Sequence, residues 1–149
     1  MNKSTMMINE LLVQLFNEVL QIEEQSLKDG ILSDLSVTEI HTIEAIGMYS
    51  ERTMSEAAQK LKITVSTLTT AINKLIKKGY VERKRIEEDR RVVLVKLTKR
   101  GKLALRLHQK FHGEMINNAI EGLSMEEETI LISSLNKLND FFKEKYELD

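Results

Sequence analysis

The feature that most constrains the fold is a β-hairpin pattern that directly follows two short helical patterns. Residues 55–61 and 65–78 repeat their apolar side chains at helical spacing, and Thr64 is placed to cap the second segment. Two runs rich in β-branched residues, 80–85 and 92–97, then flank a polar stretch, which is the pattern of a hairpin. A short helix, a turn, a longer helix and a hairpin, in this order, predict a winged helix-turn-helix.

The chain as a whole contains few residues that would end a helix, since it has no proline and six glycines. Amphipathic patterns predict further helices over about 8–26, 36–47 and 98–121, and a last one capped near 124–127. We therefore expect a mainly α protein (an α+β winged helix-turn-helix) with about six helices and a two- to three-stranded wing.

The charge distribution favours a nucleic-acid partner. The formal net charge is −1, but residues 51–102 hold fifteen Lys and Arg against six Asp and Glu, while the ends are acidic. A basic middle is expected when one surface faces phosphates, although solvated charge can also cluster by chance. Without cysteine the chain has neither disulfides nor thiol-based sensing, and its N-terminus lacks the unbroken apolar run of a signal peptide or membrane span. We expect a cytoplasmic protein.

The helix predicted over 65–78 has two contrasting faces. One face collects the apolar residues, which we expect in the core: Val65, Leu68, Ile72, Leu75 and Ile76. The other carries hydroxyl, amide and ammonium groups and no carboxylate, as suits base edges and phosphates. The candidate DNA contacts on this helix are Ser66, Thr67, Thr70, Asn73, Lys74 and Lys77.

The hairpin offers a second DNA contact, because arginines crowd its tip and could reach the adjacent minor groove. The candidates here are Arg83, Arg90 and Arg91, and Asp89 can pair with Arg91 to fix the tip. No phosphate loop, nucleophile elbow or paired carboxylates indicate an enzyme.

Two motifs of the wing resemble a known family. Asp89-Arg90-Arg91 followed by Leu97-Thr98-Lys99-Arg100-Gly101 is similar to the DxR…LTxxG signature of the MarR family of bacterial regulators. The resemblance implies a homodimer, joined by its N- and C-terminal helices, on a pseudo-palindromic operator. It divides a single domain, 1–149, into a DNA-binding lobe at 36–101 and dimerisation and sensor helices at 1–35 and 102–149.

The last predicted helix independently carries an apolar stripe that one compact lobe does not need. Its members are Leu131, Leu135, Leu138 and Phe142. Packing within the monomer is the alternative explanation for this stripe.

Longer segments, such as ITVSTLTTAINKLIKKGYVER and RLHQKFHGEM, resemble the fatty-acid-synthesis repressors of that family. This resemblance implies a corepressor, a long-chain acyl group on acyl carrier protein, and no other cofactor. Residues placed to line an acyl site are Leu20, Ile40, His41, His108, Phe111 and Met115. A basic face suited to an acidic carrier protein comprises Lys99, Lys102, Arg106 and Lys110. Ordinary core packing and a solvated face are the alternatives.

The three histidines also allow a second hypothesis, a zinc-responsive repressor of metal-uptake genes. His108 and His112 are four apart on one helix, the spacing of two imidazoles that share a metal. His41, with Glu24 or its neighbour Glu23, would complete a tetrahedral site, and the set resembles the ligands of zinc-uptake repressors in the same family. A buried polar network is the alternative role for these histidines.

Overall fold

The computed structural model describes residues 1–146 and contains, within them, six helices and a small antiparallel sheet. The elements are α1 (Lys3–Asp29), α2 (Val37–Ile46), β1 (Arg52–Thr53), α3 (Met54–Leu61), α4 (Val65–Lys78), β2 (Val81–Arg85), β3 (Val93–Leu97), α5 (Lys99–Ile120) and α6 (Met125–Tyr146). The predicted fold class, a mainly α winged helix-turn-helix, is confirmed. No helix among the described residues has the length and apolar character needed to span a membrane.

Side-chain caps begin the helices where the sequence places them. Ser36 and Glu39 form a reciprocal capping box at the start of α2, because each side chain bonds the backbone N–H of the other. Thr64 accepts a hydrogen bond from the backbone N–H of Thr67 at the start of α4, and Gly79 ends that helix in the left-handed conformation, with φ of 85°. These caps fix the bounds of the helix that carries the candidate DNA contacts.

The wing is three-stranded, with β3 between β1 and β2. Arg83 of β2 and Arg52 of β1 are both paired with Val95, which is completely buried. The buried side chain fixes the register, since a slip of one residue would turn the apolar side chains of β3 toward solvent. Strand β1 has only two residues, which is too short for the sequence pattern to indicate its position.

The chain folds as two compact units, one from Met1 to Gln109 and a second that begins at Lys110. In the first unit, helices α2, α3 and α4 and the sheet enclose a core of fully buried side chains. The largest are Tyr80, Ile40, Ile43, Ile46, Leu68, Ile72, Leu75, Leu105 and Val95. Each such aliphatic side chain contributes about 1.5–3 kcal/mol by leaving water.

The prediction that Val65 belongs to the core face of α4 is wrong. Leu68, Ile72 and Leu75 are fully buried, but the side chain of Val65 is 44% exposed. Val65 is the first residue of α4, one turn before the buried set begins, and it lines a hollow beside the wing with Thr69.

The LTKRG segment joins β3 to α5 through a tight backbone contact. The hydroxyl of Thr98 donates a hydrogen bond to the carbonyl oxygen of Gly79 at 2.6 Å. The backbone amide of Thr98 donates to the carbonyl oxygen of Tyr80 at 3.0 Å. The same hydroxyl accepts from the amide of Gly101, which caps α5 as predicted. A Cβ atom on Gly101 would lie 2.1 Å from the carbonyl oxygen of Tyr80, so only glycine fits there. The motif therefore fixes where the wing and α5 meet.

Candidate nucleic-acid interface

The polar face of α4 is open to solvent, as a DNA-contacting surface must be. All six candidate residues on this helix, Ser66, Thr67, Thr70, Asn73, Lys74 and Lys77, are exposed, and the helix has no acidic residue. The hydroxyls lie in its first two turns and the ammonium groups in its last two. Short hydrogen-bonding groups toward the helix N-terminus suit base edges, and the lysines suit phosphates.

Two adjacent lysines at the end of α4 have different surroundings. Lys77 is exposed, whereas the ammonium group of Lys78 lies 2.9 Å from both carboxylate oxygens of Glu39 and also donates to the backbone oxygen of Asp34. Burial raises the pKa of Glu39, but hydrogen bonds from Lys78 and Ser36 outweigh it and hold this pKa below its usual value. Lys78 therefore anchors α4 to α2, and Lys77 is available to a ligand.

A second anchor joins the end of α4 to α5 and to the loop before α2. The hydroxyl of buried Tyr80 donates to Oδ1 of Asp34 at 2.7 Å, and Nη2 of Arg100 lies 3.2 Å from Oδ2 of the same carboxylate. Arg100 also donates to the backbone oxygen of Lys78 at 2.6 Å, and its guanidinium carbon lies 4.4 Å from the centre of the Tyr80 ring. Burial and the neighbouring Asp34 carboxylate raise the pKa of Tyr80 to about 12. Sequence reasoning missed this cluster.

The arginines of the wing are each held in a different way. Nη1 of Arg83 donates to Oδ1 of Asn73 at 2.8 Å, so β2 contacts α4 directly. Nη1 of Arg85 donates to the backbone oxygen of Arg90 at 2.8 Å, which closes the tip and leaves the Arg90 side chain exposed.

The tip also contains the pairing that the sequence suggested. Both carboxylate oxygens of Asp89 accept from Arg91, at 3.0 Å from Nε and 3.2 Å from Nη2, and Oδ1 also accepts from the backbone amide of Arg91. These hydrogen bonds lower the pKa of Asp89. Asp89 thus orients a guanidinium group that stays 92% exposed.

A separate polar cluster joins α1, α2 and α5. Oε1 of buried Glu23 lies 2.7 Å from Nε2 of His41 and 3.3 Å from Nε2 of His108, and that atom of His108 lies 3.2 Å from Oε2 of Glu44. One ligand atom each from Glu23, His41 and His108 fall within 4.8 Å of one another, as a metal site requires.

The glutamate favoured from the sequence as a metal ligand does not lie at the histidines. The exposed Glu24 carboxylate pairs with Lys28 at 3.6 Å, whereas its neighbour Glu23 faces the imidazoles. His112 lies in the second unit, where its ring packs edge-on against Phe111 at a centroid distance of 5.4 Å.

The candidate acyl-site residues differ in accessibility. Leu20 lines a surface hollow of about 610 Å³ together with Leu27, Leu35 and Val37, whereas Ile40 is fully buried in the core. Phe111 and Met115 are half-buried in the second unit.

The candidate carrier-protein contacts are mostly accessible. Lys99 and Arg106 are exposed, and the ammonium group of Lys102 lies 5.4 Å from the centre of the Tyr49 ring. Lys110, in the second unit, pairs with Glu114 at 3.8 Å.

A helix-turn-helix with an open polar face on its second helix, beside an arginine-bearing wing, defines a winged-helix DNA-binding regulator and not an enzyme. The sequence model of the MarR family matches residues 33–92. The crystal structure of Streptococcus pneumoniae FabT in complex with DNA is similar to this chain at 43% identity, covering 94% of this chain and 98% of that one with a TM-score of 0.89. The chain belongs to the MarR family of transcription regulators.

Two more distant proteins are also similar to this chain. YfiV of Bacillus subtilis, an uncharacterized HTH-type transcriptional regulator, is 31% identical over 107 residues, and the match covers 71% of this chain and 66% of YfiV, just under two thirds of its length. A variant of MarR from E. coli, complexed with operator DNA, is 22% identical, covers 91% of this chain and 95% of that one, and has a TM-score of 0.71. At that identity the likeness shows the fold alone.

Proposed function

We propose that this protein is a homodimeric, cytoplasmic repressor that binds a pseudo-palindromic operator through α4 and the wing. The observation that carries the proposal is the open, acid-free face of α4 beside Arg83, Arg90 and Arg91. It is supported by the 43% identity to FabT, which was solved in complex with DNA.

In this function the two halves of α4 have different roles. Ser66, Thr67, Thr70 and Asn73 contact base edges in the major groove, since hydroxyl and amide groups can both donate and accept hydrogen bonds there. Lys74 and Lys77 contact phosphates, which position the helix and release counterions. Arg90 and Arg91, at the tip of the wing, contact the adjacent minor groove.

In the proposed homodimer, a second copy of the chain covers the apolar side chains that α1 and α6 expose. Residues 6–22 of α1 expose a run of large apolar side chains, among them Leu11, Leu15 and Phe16 at 52%, 56% and 68%. No described residue of α6 is buried, and Leu135 is 51% exposed. Apolar surface on this scale marks a protein interface. Two lobes held in this way would read half-sites about one helical turn, ~34 Å, apart.

The finer proposal is that the repressed genes serve fatty-acid synthesis and that a long-chain acyl group on acyl carrier protein is the corepressor. The similarity of long segments of the chain to fatty-acid-synthesis repressors supports it. Lys99, Lys102 and Arg106 offer basic groups to an acidic carrier protein, and the hollow at Leu20 offers apolar surface. On this proposal residues 36–101 form the DNA-binding lobe, and residues 1–35 and 102–149 form the dimer frame and sensor.

The experiment is a fluorescence-anisotropy titration on a duplex selected by the protein from a random pool. We expect tighter binding when long-chain acyl-acyl carrier protein is added, and no change with the unacylated carrier protein. Equal affinity with both forms would remove the corepressor and leave the DNA-binding function standing.

Salt dependence tests the placement of the α4 lysines in the same assay. Lys77→Ala should weaken binding to every sequence and lower the slope of log K against log salt by about one unit. Lys143→Ala is the control: it removes the same charge from an exposed position on α6, outside α4 and the wing, and it should leave the slope unchanged. Equal slope changes in the two variants would contradict the assignment.

A zinc-responsive repressor is the second candidate function, and the cluster of Glu23, His41 and His108 favours it. Two imidazoles and a carboxylate are a donor set that zinc accepts, and the spacing of His108 and His112 makes His112 the candidate fourth ligand. The distance of 2.7 Å from Glu23 to His41 is equally that of a hydrogen bond, so the cluster also suits a buried polar network.

Metal analysis separates these two roles. A stoichiometric zinc ion in the purified protein, lost in Glu23→Ala but kept in Glu24→Ala, together with operator binding that a chelator abolishes, would establish the metal. Operator binding that is unaffected by chelator and by added zinc would exclude it.

A further inference from the structure

We propose that Asn73 reads one base pair in the major groove and that Arg83 is the positioning residue that orients its amide. The proposal rests on the DNA-binding function proposed above for α4 and the wing. It starts from one contact: Nη1 of Arg83, on β2, lies 2.8 Å from Oδ1 of Asn73, on the third turn of α4. Both side chains are exposed on the face where DNA would lie.

The chemistry of the pair fixes which way the amide faces. A guanidinium group can only donate hydrogen bonds, so the atom that it contacts must be the amide oxygen of Asn73. The amino group of Asn73, with its two N–H donors, therefore points away from Arg83. An isolated exposed asparagine has no such constraint, because rotation about its χ2 bond can exchange the positions of the amide oxygen and nitrogen at little cost.

The position of Arg83 is itself well determined. Its backbone is paired with Val95, whose side chain is completely buried, so the register of β2 cannot slip without exposing the core. Its side chain lines the hollow beside α4 together with Val65 and Thr69, which precede Asn73 by two turns and one turn. The hydroxyl of Thr69 donates to the backbone oxygen of Val65, and Arg83 bonds the amide of Asn73 one turn further along.

This orientation determines which bases Asn73 can recognise. A free asparagine pairs with adenine by accepting from N6 and donating to N7. When its oxygen already accepts from Arg83, Asn73 presents mainly N–H donors, which require acceptors in the groove. Guanine offers N7 and O6, whereas cytosine offers only its amino donor. We therefore expect Asn73 to favour guanine and to reject cytosine at the base that it faces.

The test measures affinity for a panel of duplexes in which each base pair of one half-site is replaced in turn. Asn73→Ala and Arg83→Ala should each reduce the ratio of affinities for different base pairs by about tenfold, and at the same position of the half-site. The double variant should lose no more of the preference at that base pair than Asn73→Ala alone, since the arginine acts through the amide of Asn73. Lys84→Ala is the matched control: it removes an equal charge from the next residue of β2, which points to the opposite face of the strand, and it should change no single preference.

Other outcomes have distinct meanings. If Arg83→Ala weakens all duplexes by one factor and lowers the salt slope by about one unit, Arg83 is a phosphate contact and the inference fails. If the two single variants flatten different base pairs, each reads its own base and the inference also fails. If Asn73→Ala changes no preference at all, the base-reading function proposed for this part of α4 fails first. Circular dichroism and sedimentation confirm that each variant is folded and assembled as the wild type is.

Discussion

Replacing Gly101 by alanine tests whether the junction between the wing and α5 is closed by sterics alone. An added Cβ would lie 2.1 Å from the carbonyl oxygen of Tyr80, 3.1 Å from its carbonyl carbon and 3.2 Å from Cβ of Leu97. Since carbon and oxygen normally approach to about 3.3 Å, the two segments must separate by about 1.2 Å. The two nearest obstructing atoms, both of Tyr80, belong to the backbone and cannot rotate away.

The expected cost follows from these contacts. Overpacking of this kind costs about 1–3 kcal/mol, and the hydrogen bond that Tyr80 accepts from the amide of Thr98 at 3.0 Å is worth about 1 kcal/mol more. Alanine returns up to about 1 kcal/mol because it is a better helix former than glycine. We therefore expect Gly101→Ala to lower the free energy of unfolding by about 2 kcal/mol.

The chain provides a matched control on the same helix. Gly113 also lies in α5, but within the described chain a Cβ there would meet no heavy atom within 4 Å. Gly113→Ala should therefore raise the free energy of unfolding by about 1 kcal/mol through helix propensity alone.

Urea denaturation followed by far-ultraviolet circular dichroism measures both variants. Protomer concentration must be equal in all samples, because assembly contributes to apparent stability. If Gly101→Ala is as stable as Gly113→Ala, the contact with Tyr80 does not constrain the junction and the reasoning is wrong.

Three further predictions address the wing, the tyrosine anchor and the dimer. Arg91→Ala should weaken operator binding by more than about tenfold with fold and assembly intact, as a gel-shift titration, circular dichroism and size exclusion would show; unchanged affinity would remove Arg91 from the interface. Because the pKa of Tyr80 is raised to about 12, its contribution to stability is complete below pH 10 and is lost as the pH rises from about 10 to 12. In a tyrosinate absorbance titration Tyr80→Phe should remove a step near pH 12, and wild-type and Tyr80→Phe curves that coincide there would contradict the bond to Asp34. Leu135→Asp should dissociate the dimer at micromolar concentration in sedimentation equilibrium, whereas an aspartate at Ser133 should have a smaller effect; equal effects would indicate that α6 does not dimerise through its apolar stripe.

Local patterns were sufficient to predict the helix-turn-helix and the hairpin. These patterns depend on residues within a few positions of one another: the apolar spacing, the N-cap at Thr64 and the C-cap at Gly79. The structure contains α4 with these two caps. The same reasoning failed for Val65, because periodicity shows which way a side chain points but not where the core ends. It allowed for a third strand but did not locate β1, a strand of two residues that forms by pairing with β3.

The contacts that anchor α4 could not be predicted from local sequence patterns. Tyr80 and Arg100 meet Asp34 across 46 and 66 residues of sequence, and nothing in their immediate neighbourhoods indicates the pairing. The choice between Glu23 and Glu24 had the same difficulty, because adjacent helical residues point about 100° apart and only the packing of α1 against α2 decides which is buried. Long-range contacts of this kind require the tertiary structure.

The tight contact at Gly101 gives the LTxxG motif a structural reason that is independent of any signal the protein answers. Thr98 and Gly101 are required by hydrogen bonding and by the space left beside Tyr80, and neither requirement depends on a promoter or an effector. The geometry of this joint would be the same whichever bases the polar face of α4 contacts and whichever effector the protein binds. The presence of this motif therefore indicates the architecture and leaves the physiological role to be determined by experiment.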